Sequence, residues 1–326
     1  MNKLATTLGT LTLLTQSANL YAESQEPIQS HFSSPIEGLF NIPSFSGTNI
    51  QAEGSKQFAL RAEIISNAVA MSNSKESVRF DGETWRLTPR WRYGFKENWQ
   101  FSLELPLIRH TSGFLDSSID TFHETFQLRE GSRDDFDRNE LLYGYSNQGS
   151  LDYRLTDNTN GIGDLKLKIS HQLPTNMPLT AHIHLKAPTG DEDDLMSSGS
   201  WDTGLSLSYL KPALFNVESL TTALEAGQHY LSSSDQVRHQ NNWMTTLNAG
   251  LFWGISESVT LKSQLEAHTA IADSDLEPLG SEALQLTAGV TWQSSPDTAW
   301  DFALIEDIRT DSTSDASFLV EWSQSY

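Results

Sequence analysis

The residues able to do chemistry in this chain are spaced two apart. Arg86, Arg90 and Arg92 alternate with Trp85, Leu87, Pro89, Trp91 and Tyr93; Lys166 and Lys168 alternate with Leu165, Leu167 and Ile169; His182, His184 and Lys186 alternate with Ala181, Ile183 and Leu185. On an extended strand successive side chains point to opposite faces, so each run has one apolar face and one cationic or imidazole-bearing face. Glu104, Glu225, Glu266 and Asp301 take the same inward parity in other runs, with Glu63 and Asp307 beside them. If the runs close into a ring, cations of the earlier strands meet carboxylates of the later ones across one lumen. Such a transverse field can orient and select polar or anionic solutes in a water-filled pore. The same groups can instead pair into a network that fills the barrel, because about twelve strands leave limited internal width.

No other grouping completes a site. His182 and His184 offer two imidazoles to a metal or a proton path, but the sequence supplies no third ligand, and hydrogen-bonded lumen histidines are the simpler reading. Asp135, Asp137 and Asn139 begin like a calcium loop, yet Glu140 stands where glycine is needed and Ser146 where the bidentate glutamate belongs. The run Asp191, Glu192, Asp193, Asp194 either bridges divalent ions to lipopolysaccharide or is a solvated charge run. His123-Glu124 continues to Gln127, so the zinc-protease helix lacks its second histidine, and Gly161-Ile162-Gly163 meets Lys166 in place of a third glycine. There is no Gly-x-Ser-x-Gly elbow. No catalytic residue, metal or cofactor is assigned. The absence of cysteine excludes disulfides and thiol chemistry. A formal charge of -21, from 42 acidic and 21 basic side chains, argues against nucleic-acid binding, which calls for a basic face.

The elements that must position these residues are strands. The stretch from Gly82 to His110 reads as a hairpin, with Trp99, Phe101, Leu103, Leu105 and Leu107 repeating the alternation after a turn at 94–98. Alternation alone does not choose between a protein core and lipid. The aromatics do, since Trp91, Tyr93 and Trp99 gather at the turn as a membrane-interface girdle would. Val78 and Phe80 have the opposite parity to Trp85, which predicts a bulge near Gly82 to reset the face. Similar runs from Phe58 to Trp322 bring the count to about twelve strands, joined alternately by short turns and longer polar loops. That is the rhythm of an all-β, transmembrane antiparallel barrel with both termini periplasmic. A mean hydropathy of -0.40 is compatible with it, because only one face of each strand is apolar.

The expected organisation is a signal peptide at 1–22, a segment at 23–55 that is either a periplasmic tail or folded into the lumen, and a barrel over 56–326. The connection 111–162 is long enough to be a functional extracellular loop. Within it Leu115, Ile119, Phe122 and Phe126 recur at helical spacing behind Asp116 as N-cap, predicting a short rim helix or lid. Phe318, Val320, Trp322 and the terminal Tyr326 look like the signal read by the outer-membrane assembly machinery.

The segments GETWRL, PLIRHTSGFLD, RDDFDRNELLYGY, GIGDLKLK and LKAPTGDEDDL occur in this order. With them the chain resembles domain-of-unknown-function family 3187, bacterial envelope proteins. The resemblance implies the architecture over most of the mature chain and carries over no catalytic or binding residue. The expectation is a Gram-negative outer-membrane barrel acting as a small channel or uptake porin for small polar or anionic solutes. A barrel-embedded lipid-acting enzyme and a closed structural or adhesion barrel are the alternatives. Expected partners are outer-membrane lipid, lipopolysaccharide and the assembly machinery.

Overall fold

The computed structural model describes residues 25–115, 121, 139–148, 150–309 and 313–326. The expected signal peptide, the helix behind Asp116, His123-Glu124 and the calcium-like Asp135 and Asp137 lie outside the described residues. Sixteen β segments follow in chain order: β1 (Lys56–Ser72), β2 (Glu76–Lys96), β3 (Trp99–Glu104), β4 (Leu107–Thr111), β5 (Leu142–Asn147), β6 (Ser150–Leu155), β7 (Thr159–Ile162), β8 (Leu165–Gln172), β9 (Leu179–Ala187), β10 (Asp202–Lys211), β11 (Leu220–Leu231), β12 (Trp243–Gly254), β13 (Val259–His268), β14 (Ala283–Ser295), β15 (Thr298–Asp307) and β16 (Ala316–Ser325). β3 and β4 form one stave interrupted at Leu105-Pro106, and β7 and β8 another. Pro106 has no N–H for the ladder, and its carbonyl accepts from Gly163 N at 2.8 Å. Counted this way the staves close into a twelve-stranded antiparallel ring, with β1 pairing β2 on one side and β16 on the other. The hairpin β5–β6 is additional, and extends the sheet by pairing β5 with the first part of β2.

The outward face is apolar. Leu205, Leu224, Leu247, Leu251 and Leu265 are exposed, as are Trp243 and Trp253 near opposite ends of β12. Ten residues separate those two indoles, roughly 33 Å of strand at about 3.3 Å per residue. A tilt of about 40° reduces this to about 25 Å, the height of the lipid-facing band of a transmembrane barrel. Trp91, Trp292 and Tyr326 add to the aromatic ring at the short-turn end, and Trp85 and Trp201 to the one at the long-loop end.

The bulge expected near Gly82 is absent. The β1–β2 register runs unbroken from Lys56↔Tyr93 through Asn67↔Gly82 to Ser72↔Ser77. Val78 and Phe80 share the inward parity of Thr84 and Arg86, and are buried. What inverts is the surroundings. Beyond the lipid band the interior of the long-loop end is an apolar cap, in which Phe80 and Val78 pack with Tyr143, Leu195, Ile271 and Leu279, and apolar side chains therefore point inward there. Gly82, at φ 140°, marks the handover at which β2 leaves β4 and takes β5 as its partner, and a Cβ there would lie 2.8 Å from Leu141.

Lipid exposure of the belt predicts a depth-dependent cost. Leu247→Arg, mid-band on β12, should destabilise the barrel by about 2–4 kcal/mol in reversible unfolding from bilayers, whereas Thr245→Arg nearer the rim should cost about 0–1 kcal/mol. Equal costs would place something other than lipid against that face.

Candidate functional site

Residues 26–53 run inside the ring as a U. The rising leg follows β13 in step. Lys262 Nζ donates to the Glu26 carbonyl. Gln264 clasps both backbone groups of Ile28, at 2.6 Å to the N–H and 3.0 Å to the carbonyl. Ser30 Oγ donates to Glu266 at 2.6 Å, and the Phe32 ring meets His268 edge-on at 4.4 Å. Two residues of the segment advance for every two of β13, because both are extended.

At the apex Ser34-Pro35-Ile36-Glu37 closes a capping box. Ser34 N donates to Glu37 Oε2 at 2.9 Å and Glu37 N to Ser34 Oγ at 3.3 Å, opening a single turn of 3-10 helix at Glu37–Leu39. The Glu37 carboxylate also pairs with His268 Nε2 at 2.9 Å. Around this turn Phe32, Ile36, Leu39, Phe40 and Ile42 join the apolar cap.

The returning leg descends β9. Lys186 Nζ donates to the Leu39 carbonyl at 2.7 Å, His182 Nε2 to Gly47 O at 3.1 Å and Thr180 Oγ1 to Thr48 O at 3.0 Å. From the adjoining strands β10 and β11, Asp202 accepts from Asn41 N at 3.0 Å and Glu225 from Ser46 N at 3.1 Å. Arg92 then donates to Asn49 O at 2.8 Å, and Gln100 accepts from Gln51 N at 2.9 Å. The two legs are tied by Gln29 Nε2 to Phe45 O at 2.7 Å and by Asn49 N to Glu26 Oε1 at 2.8 Å.

The residues singled out by parity all point into the ring, and most meet this segment or one another. Lys186 is fully buried between Asp164 at 2.9 Å and Asp202 at 3.0 Å. Arg90 pairs with Glu321, and Glu104 with Arg61 at 3.4 Å. Glu266 also accepts from Gln264 at 2.9 Å, and Glu225 from Asn248 at 3.2 Å. Asp301 accepts from Thr291 and lies 3.8 Å from Lys262. His182 takes Ser170 at 2.8 Å on Nδ1; since the Gly47 carbonyl accepts only, Nε2 carries the proton and Nδ1 is the acceptor. His184 bonds Ser206 at 2.9 Å. Arg86 is buried beside Gly38 of the apex, and among the described residues its Nε has no partner. Lys168 lines two cavities of about 30 and 40 Å³ left between the segment and the wall, and Lys166 the smaller of them, room for a few water molecules.

Parity reasoning passed over the centre of this network. Arg61, fully buried, reaches Glu63 at 3.3 Å, Glu104 at 3.4 Å and Glu321 at 3.7 Å, donates to Gln29 O at 2.8 Å, and lies 3.1 Å from His31 Nε2. Its signal was present, because Arg61 and Glu63 alternate with Leu60, Ala62 and Ile64, as Glu321 does with Val320 and Trp322.

Removing one member of a buried ionic network leaves the others uncompensated. Arg61→Met should therefore cost about 3–5 kcal/mol in detergent unfolding.

The segment's own histidine gives a pH dependence. Burial, then the Arg61 guanidinium, hold the His31 imidazole down at about 3, against the ordinary 6.5. Between those values the released segment binds a proton that the docked one does not, so His31 favours docking fully above pH 6.5 and progressively less as pH falls toward 3. Burial raises the Glu26 carboxyl, which acts in the opposite sense. Protease cleavage within residues 26–53 should increase from pH 7.5 to pH 5, and His31→Gln should flatten that rise; an unchanged slope in the variant would remove His31 from the effect.

Comparison with known proteins supports the architecture. A family model described as "Protein of unknown function (DUF3187)" matches residues 7–326. Among solved structures, an outer-membrane channel from Pseudomonas putida F1 is similar at 14% identity and a TM-score of 0.56, over 86% of this chain and 98% of that one, a likeness of fold. The NanC porin aligns with a TM-score of 0.46 at 9% identity over 82% and 98% of the two chains. The toluene transporter TbuX of Ralstonia pickettii does so with 0.43 at 10% identity over 84% and 90%. No curated protein matches the chain.

Proposed function

We propose that this chain, which belongs to the family of proteins of unknown function DUF3187, is an outer-membrane channel for small polar or anionic solutes, held shut by its own residues 26–53. One observation carries the reading: the wall is complete without the segment. Every stave of the ring has both ladder neighbours among the other staves, while the segment is held almost entirely through side chains. A backbone ladder is lost only with the barrel; side-chain bonds of about 1 kcal/mol each can be exchanged for water one at a time. The bonds that hold the segment closed are thus separable from those that hold the wall.

The solute class follows from the wall that would be uncovered. Arg90, Arg92, Lys166 and Lys168 form one inward bank on β2 and β8, while Glu225, Glu266 and Asp301 belong to β11, β13 and β15 of the remaining wall. A cationic bank in a narrow lumen favours anions. In this orientation the short-turn end, where Lys56 pairs with Tyr326, faces the periplasm. The apolar cap at the long-loop end favours a second reading, a permanently sealed structural barrel.

Planar-bilayer recording separates the two. The intact protein should be closed most of the time with brief anion-preferring openings. Gln264→Ala combined with Glu225→Ala should raise the open fraction several-fold, and Lys168→Glu should move the reversal potential toward cations. No conductance at any voltage in any of these proteins would leave the sealed barrel.

A further inference from the structure

The smaller cavity, about 30 Å³, is lined by Lys166 and Lys168 of β8, Ser102 of β3, and Asn41 and Ser44 of the lumen segment. Two of its polar atoms differ from bonded neighbours such as Ser44 and Gln29. Among the described residues Ser102 Oγ and Asn41 Nδ2, buried on residues 2% and 3% exposed, have no hydrogen-bond partner. Among the described residues neither lysine has a hydrogen-bond or ion-pair partner. Lys166 and Lys168 lie two apart on one strand face, so their stems leave the backbone about 7 Å from each other. The one carboxylate lining the cavity, Glu104, is already taken by Arg61 at 3.4 Å. Four residues able to donate thus line one small cavity, two of them lysines.

A buried ammonium group without a partner carries the full cost of its desolvation, and two sharing one enclosure also repel each other. Carboxylates attract the two ammonium groups without bonding either, Glu104 both of them and Glu225 Lys168; a water molecule in the cavity would add no charge to meet theirs. We infer that this cavity binds a small inorganic monoanion of halide size, coordinated by Lys166, Lys168, the Ser102 hydroxyl and the Asn41 amide. The enclosure is too small for a sugar or an organic acid. One of its ligands, Asn41, belongs to the segment, and the others belong to the wall. The ion therefore acts as a counter-ion that pins the returning leg against β3 and β8. This goes beyond conduction, because a channel and a sealed barrel would need the ion equally.

The test is anomalous scattering at the bromide edge from crystals of the intact protein prepared in bromide, together with thermal unfolding in detergent. A bromide peak within hydrogen-bond distance of both ammonium groups and Ser102 is expected, lost in Lys168→Met and weakened in Ser102→Ala. The unfolding midpoint should rise with chloride or bromide over gluconate at constant ionic strength, saturably and in the millimolar range, and Ser102→Ala should shift that saturation to higher concentration. Should Lys168→Met fail to fold, Ser102→Ala carries the comparison. Absence of the bromide peak in the intact protein, or a midpoint indifferent to the anion, overturns the site.

Discussion

An irregular segment enclosed by a barrel has no ladder to join, yet each of its buried N–H and C=O groups must find a partner. That requirement organises the interior. The wall answers it by polarity: carboxylates are aimed at N–H groups, as Asp202 is at Asn41 and Glu225 at Ser46, and cations at carbonyls, as Lys262, Arg61, Lys186 and Arg92 are at Glu26, Gln29, Leu39 and Asn49. Gln264, a side-chain amide, supplies both halves and stands in for a missing strand at Ile28. The polar alternation that marks these strands is thus the complement of a particular stretch of backbone.

The same requirement explains why the charges do not meet across an empty lumen. The segment takes up much of the space between them, and strands of the wall pair directly around Arg61 and where Lys186 of β9 meets Asp202 of β10. Buried ion pairs of this kind add little net stability over apolar packing, and a role in fixing a unique arrangement is the better-attested use. Here the arrangement fixed is where Gln29 and His31 sit relative to β1. Stability at the other end has a different source, since Phe32, Ile36, Leu39 and Phe40 are withdrawn from water in the cap, each contributing about 1.5–3 kcal/mol.

Strand number, closure and the inward facing of Arg90, Lys168 and Glu266 were legible because a lipid belt enforces strict alternation. Where the belt ends, the rule ends. Val78 and Phe80 suggested a slipped register because an apolar residue was assumed to face outward, whereas above the lipid an apolar residue faces the cap. Residues 26–53 were harder to place for a related reason. A segment bonded through its backbone to other residues' side chains has no periodicity of its own to display. Its partners showed only as polar positions, without indicating what they were polar toward.

Because both arms of the U reach the short-turn rim, residues 26–53 cross the lumen twice. A single-pass segment could enter or leave a closed ring only by drawing a free end through the pore. A doubled-back one can be pushed in, or fall out, as a bight of rope does through a collar. Sealing of β1 against β16 and filling of the lumen can then occur in either order during biogenesis, with no knot to undo.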